Sequence, residues 1–233
     1  MRLLITRPEP DNERTAEALR AKGHEPLLAP MLRIEIIADA DLGPKPAAIL
    51  LTSANGARAL AAHPRLPEFL SLPVLAVGRT SADAARGAGF ADITSADGDA
   101  DDLVRLAAAR FSRSKIPLLH VAGLDRSGEL AEALAAQSIP VRIAVAYRAA
   151  AATAFPAEVH GALTHGDVAG VLHFSRRSVE TYLACSRDLI SEALAPDHYC
   201  LSARAADPLR LAGAADIHVA ARPDEAHLLA LIT

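Results

Sequence analysis

The sequence predicts an α/β protein built as two similar parallel-sheet domains joined by a two-stranded β linker. Three observations lead there. Short apolar runs alternate with helical patterns along the chain, as βαβ units require. The composition is 51% hydrophobic with only 3% aromatic residues, which suits Ala-lined helices packed on aliphatic strands and argues against disorder. Finally, one pattern occurs twice. Ala48-Ile-Leu-Leu-Thr-Ser-Ala-Asn-Gly-Ala-Arg-Ala-Leu60 and Gly170-Val-Leu-His-Phe-Ser-Arg-Arg-Ser-Val-Glu-Thr-Tyr182 are each an apolar run, a polar tip and an apolar helical pattern. Each reads as a buried strand whose turn opens a helix, with hydroxyls to cap it and free N–H groups to hold an anion.

Taken in order, Leu3-Leu-Ile-Thr6 reads as a strand and Arg7-Pro-Glu-Pro10 as a loop. A helix follows over Asp11–Lys22, with Ala16, Leu19 and Ala21 near its apolar face and Gly23 as its stop. Glu25 to Leu28 is a short strand. Met31 to Ile37 alternates, with Leu32, Ile34 and Ile36 on one side, as a half-exposed strand does. After the break at Gly43-Pro-Lys-Pro46 come four strand–helix units. Ile49–Leu51 leads to a helix over 54–62, Val74–Val77 to one over 82–88, Asp92–Thr94 to one over 100–109, and Leu118–Val121 to one over 128–137. Val141–Arg148 is a second alternating stretch, and Ala149–Phe155 reads as a connection. His160 and His165 fall in a loop-like segment. Strand–helix units then restart at Val171–Phe174, Tyr199–Leu201 and Ile217–Val219, with a terminal helix from Asp224.

The front of the chain supplies the unit that the second run lacks. Laying Leu3-Leu4 on Leu118-Leu119 keeps register without a gap, so that Glu17-Ala18-Leu19 falls on Glu132-Ala133-Leu134 and Leu32 on Tyr147. The expected organisation is a circularly arranged repeat. One domain combines 1–31 with 152–233, the other spans 46–139, and segments 32–45 and 140–151 cross between them.

In parallel α/β sheets ligands bind beyond the carboxyl ends of the strands. Here those ends offer Arg7, Thr52, Ser53, Asn55, Gly78, Ser81, Gly123, Arg126, Ser175, Arg176, Ser202 and Arg204. Carboxylates are scarce among them, Glu9 and Asp125 apart. Glycine, hydroxyl and guanidinium groups suit anions, held by backbone N–H groups and Arg forks. The expectation is a polyanion site in a cleft between the domains, with Ser53 and Ser175 on opposite walls and the stronger electrostatic grip on the side of Arg176 and Arg177.

Other chemistries find no support. Gly87-Ala-Gly89 lacks the third glycine of a dinucleotide fingerprint and sits at a helix end, and no phosphate loop or nucleophile elbow occurs. The nine histidines show no metal-ligand spacing, and Cys185 and Cys200 form neither a CxxC pair nor a disulfide framework. A site with neither metal nor cofactor is expected. A net charge of −4 and few aromatics leave no basic field or stacking platform for nucleic acid. The first strand starts at Arg2, which leaves no room for a signal peptide, and no apolar run approaches the roughly 18 residues of a membrane span. A cytoplasmic protein with no membrane contact is the expectation.

Six short motifs, in order, resemble the loops of the uroporphyrinogen-III synthase family across essentially the whole chain. They are Leu4-Ile-Thr-Arg-Pro8, Leu51-Thr-Ser53, Val77-Gly-Arg-Thr-Ser-Ala82, Ala122-Gly123 with Arg126, Val145-Ala-Tyr-Arg148, and Phe174-Ser175. The resemblance implies two flavodoxin- or Rossmann-like domains joined by a two-stranded β linker. It implies a cofactor-free lyase of tetrapyrrole synthesis that closes the polycarboxylate hydroxymethylbilane, inverts its ring D and releases water. In such enzymes the terminal hydroxyl leaves to give an azafulvene, which ring D attacks through its substituted carbon to form a spiro intermediate that fragments and recloses. Tyr147 matches the family tyrosine and is the implied catalytic donor to the departing hydroxyl. A monomer fed by hydroxymethylbilane synthase completes the expectation.

The chain departs from the family pattern at Leu201-Ser-Ala-Arg-Ala205, where Ser202 stands for a glycine and Ala205 for a threonine, and at Ser81, which replaces a threonine. A side chain at Ser202 restricts close backbone approach, while Arg204 offers a charged contact instead. This loop sustains the alternative reading, a catalytically altered two-domain clamp that binds a tetrapyrrole or another polyanion.

Overall fold

The computed structural model describes residues 1–125 and 129–232. Its strands are β1 (Arg2–Ile5), β2 (Glu25–Leu28), β3 (Leu32–Ile36), β4 (Ile49–Leu51), β5 (Val74–Ala76), β6 (Ile93–Ser95), β7 (Leu118–Gly123), β8 (Val141–Ala151), β9 (Gly170–His173), β10 (Asp197–Cys200) and β11 (Ile217–Val219). The helices are α1 (Asp11–Ala21), α2 (Ala54–Ala61), α3 (Leu66–Phe69), α4 (Arg79–Gly87), α5 (Ala100–Phe111), α6 (Glu129–Ala136), α7 (Ala157–Thr164), α8 (Arg176–Cys185), α9 (Ile190–Leu194), α10 (Ala203–Ala212) and α11 (Glu225–Leu229). They fall into two compact units: Met1–Arg33 with Ala150–Thr233, and Ile34–Ala149.

The first unit carries a five-stranded sheet in the order β11-β10-β9-β1-β2, and its strand pairs are parallel. The second carries the order β3-β8-β7-β4-β5-β6, parallel from β8 to β6. When β7 is laid on β1 as the repeat requires, β8-β7-β4-β5-β6 repeats β2-β1-β9-β10-β11. Both follow the flavodoxin-like 2-1-3-4-5 order, the second in circularly permuted form.

The uninterrupted apolar strands reflect burial on both sheet faces. In the first unit Leu3 and Ile5 join the core formed with Ala16, Leu19 and Leu228, while Leu4 joins the opposite core with Val171 and Tyr182. In the second, Ile49 and Leu51 pack with Leu60, Phe69 and Val121, whereas Leu50 packs with Leu75, Leu103 and Leu134.

Several elements differ from expectation. Residues 157–164 form helix α7, so His160 is helical and His165 caps it, where the pattern alone reads as a loop. The apolar stripe of Val159, Ala162 and Leu163 is buried but spans barely more than one turn, too short to stand out from sequence. Ala149–Ala151 continue β8 instead of forming a connection. Helix α4 starts at Arg79 because Gly78 is extended, with φ −157° and ψ 176°, and acts as N-cap. Thr80 and Ser81 therefore lie in its first turn. Likewise Arg204 lies in the first turn of α10, not in the preceding loop.

Candidate active site

In an open α/β sheet the binding crevice forms where consecutive connections leave in opposite directions. In the second unit this switch point separates β7 from β4, and in the first it separates β1 from β9.

At the β7/β4 switch, strand β4 ends in Thr52 and Ser53. Ser53 is extended and caps α2, its Oγ accepting from the Asn55 N–H at 3.2 Å. Helix α2 can approach β7 because residue 56 is glycine; a Cβ there would stand 2.8 Å from the Val121 carbonyl oxygen. Strand β8 has an irregular register against Gly123, which pairs with Tyr147, and the Leu124 N–H donates to the Tyr147 carbonyl at 2.9 Å. The phenol of Tyr147 is half-buried, and burial raises its pKa, while hydrogen bonds with the Ser53 hydroxyl and the Gly123 backbone oppose that rise. Both bonds lower the pKa because they stabilise charge on Oη. Burial thus keeps the phenol protonated at neutral pH.

Thr52 is tied to a buried histidine: its Oγ1 lies 3.1 Å from Nε2 of His120 in β7. Asn55 uses its Oδ1 to accept from Arg58 at 2.8 Å. On the next strand, the Gly78 carbonyl accepts from the N–H groups of Ser81 and Ala82, and Ser81 is buried. Arg126 lies outside the described residues.

In the first unit, β9 and β10 lie side by side and each ends in a serine that caps a helix. Ser175 Oγ accepts from the Ser178 N–H at 3.1 Å, and the Ser178 hydroxyl accepts from the Ser175 N–H at 3.2 Å, a reciprocal capping box. Ser202 Oγ accepts from the Ala205 N–H at 3.3 Å. A cavity of about 590 Å³ opens between these turns, lined by Phe174, Ser175, Arg176, Glu180, Ser202 and Arg204 among others. Four predicted residues thus meet, with two helix N-termini beside them. The Ser175 hydroxyl donates inward to Ser178 Oγ at 3.1 Å, so the backbone N–H groups of the following turn are what this loop offers an anion. Arg176 pairs with Glu180 at 2.8 Å, whereas Arg204 is exposed and has no ion-pair partner among the described residues. The charge available to a ligand is therefore concentrated on Arg204 more than on Arg176.

Arg7 follows β1 and is held otherwise. Its guanidinium lies 3.3 Å from Glu225 and 3.8 Å from Asp11, and its Cζ stands 4.9 Å from the Phe174 ring centroid.

A family model described as "Uroporphyrinogen-III synthase HemD" matches residues 13–230. The chain belongs to the uroporphyrinogen-III synthase family. Among solved structures, the Helicobacter pylori uroporphyrinogen-III synthetase aligns at TM-score 0.70 with 16% identity, covering 99% of this chain and 98% of that one. A mutant uroporphyrinogen III synthase from Thermus thermophilus aligns at TM-score 0.56 with 19% identity, covering 99% and 96%. At these identities the two structures speak for the fold. No curated protein sequence matches. As a uroporphyrinogen-III synthase, the chain is a cofactor-independent lyase of tetrapyrrole biosynthesis that cyclises hydroxymethylbilane with inversion of ring D and loss of water. No helix among the described residues is long and apolar enough to cross a membrane.

Proposed function

We propose that Tyr147 is the proton donor to the departing hydroxyl of hydroxymethylbilane, and that strand-end turns in each unit hold the substrate's carboxylates. The observation that carries this reading is the seating of the Tyr147 phenol, bonded to Ser53 and Gly123 at the switch point of its sheet. Hydrogen bonds that stabilise charge on Oη ease proton release while the phenol's high pKa keeps it loaded. As the hydroxyl leaves, the bilane becomes an azafulvenium ion, and water carries away the transferred proton.

Carboxylate binding falls to Ser202 and Arg204 with the N-termini of α8 and α10, and to Thr52 and Ser53 at the start of α2. The cavity between the β9 and β10 turns has the donors for one such group: helix N–H groups, the Ser202 hydroxyl and the Arg204 fork. Each of the three can donate to an anion, and none carries negative charge. Much of the acceleration then comes from folding the bilane so that the correct ring carbons meet.

The deciding experiment incubates the protein with hydroxymethylbilane made in situ and separates the oxidised isomers. Type III product supports the assignment, and an exclusive type I product refutes it. The same reading takes the protein as a cytoplasmic monomer that receives its reactive substrate directly from hydroxymethylbilane synthase. Light scattering gives the mass, and a trapping enzyme competing for free bilane tests the transfer.

A further inference from the structure

The Arg7 guanidinium is already surrounded. Its Nη1 is 3.3 Å from Glu225 Oε1 and donates to Thr15 Oγ1 at 3.4 Å, and its Nη2 is 3.8 Å from Asp11 Oδ2. Glu225 is the hub of this network. It accepts from the Thr15 hydroxyl on Oε1 and from Arg14 Nη2 at 2.9 Å on Oε2. Two carboxylates face two guanidinium groups, so Arg7 presents little unbalanced charge to an incoming anion. Its Cζ instead sits over the Phe174 ring, 4.9 Å from the centroid. Phe174 in turn lines the cavity with Ser175, Ser202 and Arg204. Glu225 itself is held by α11, which buries Leu228 and Leu229 in the core with Leu3, Ile5 and Leu19 and is capped by Asp224.

We propose that Glu225 is a positioning residue for the β9/β10 pocket: by clamping Arg7 it holds the Phe174 ring, and with it the Ser175 turn, in the shape that receives a substrate carboxylate. Arg7 is thereby a strut between the C-terminal helix and the pocket wall, not a substrate ligand. The inference rests on the reading of this pocket as a carboxylate site. It follows from the cation–π placement of the guanidinium over the Phe174 ring, since carboxylates at both terminal nitrogens hold Arg7 in that place.

The test is steady-state kinetics on the full chain with hydroxymethylbilane. Glu225→Gln is expected to raise KM about five-fold with kcat within about two-fold, the scale of a lost partly buried ion pair. Glu225→Asp restores most of the loss. In a Phe174→Leu background Glu225→Gln adds nothing further, because both act through one ring. Equal effects of Glu225→Gln in both backgrounds, or a lower kcat at unchanged KM, overturns the proposal. Arg204→Ala separates the two readings. If it raises KM while Glu225→Gln is silent, the positioning role falls and the pocket stands; if it leaves KM unchanged, the pocket reading falls and takes the inference with it. Should Glu225→Gln not fold, Thr15→Val removes the hydroxyl from the same carboxylate without altering charge, and an unchanged KM there is equally decisive against the proposal.

Discussion

Cε2 of Tyr147 lies 2.7 Å from where a Cβ on Gly123 would stand, so the aromatic ring occupies the side-chain space that Gly123 leaves empty. Cζ is 3.0 Å from the same point. The absence of a side chain at residue 123 is therefore what lets the phenol reach the Gly123 backbone and Ser53.

Gly123→Ala is expected to push the ring aside and lower kcat, with an overpacking cost of about 1–3 kcal/mol. Combined with Tyr147→Ala, the same change becomes nearly neutral in stability, because the clash has no second partner. Urea unfolding of the four proteins in the cycle measures this. Additive losses would show that the contact is not responsible.

Tyr147→Phe keeps the ring and removes the proton. If the phenol assists hydroxyl departure, kcat falls by about a hundred-fold, the low end for a positioned acid, while product affinity stays near the parent value. Unchanged turnover removes the role assigned to Tyr147.

Arg204→Ala is expected to raise KM about three- to ten-fold and to flatten its dependence on ionic strength, since an exposed cation attracts an anion through a screened field. KM measured across a salt series is the check. A slope equal to that of the parent protein places the anion grip elsewhere.

Acid sensitivity follows from two buried histidines behind the Ser175 turn. His173 Nε2 lies 3.1 Å from His198 Nδ1, their rings stack at 5.3 Å, and Tyr182 packs edge-on to both. Burial lowers the pKa of each, that of His198 to about 4 from 6.5, although Asp197, Asp216 and the Leu194 carbonyl pull it upward. Because the folded pKa is depressed, the unfolded chain binds protons first as pH falls. Stability is complete above 6.5 and declines as pH falls from there to about 4, by about 3 kcal/mol for His198 alone. Thermal melts across that window in the parent and in His198→Phe test the assignment. The variant should show the shallower decline, and equal slopes would refute it.

Much of this molecule is legible residue by residue. The apolar runs announce strands such as β4 and β9, and Ser53, Ser175 and Ser202 announce the helix starts that they cap. Both signals act within a turn or a strand, so composition and spacing carry them. The hidden helix α7 marks the limit: when an amphipathic face shrinks to three small or medium residues, periodicity no longer separates it from a loop. Arg7 marks another. A cation at a strand end looks the same in sequence whether it faces a ligand or two carboxylates, and its partner Glu225 stands at the far end of the chain.

By itself, then, the sequence determined the alternation of strands and helices, the repeat by which the front of the chain completes the first unit's sheet, and the donor-rich character of the strand ends. Tertiary structure decided which of those ends come together. Strand order set β4 beside β7 and β7 beside β8, and thereby brought Thr52 to His120 and Ser53 to Tyr147. It also set β9 beside β10 and thereby brought Ser175 to Ser202 around one cavity, and His173 to His198 within the core. The physical reason is the range of the forces involved. Caps and periodicity are satisfied among near neighbours, whereas strand order and register come from burying two sheet faces at once, and only that packing places distant side chains within bonding distance.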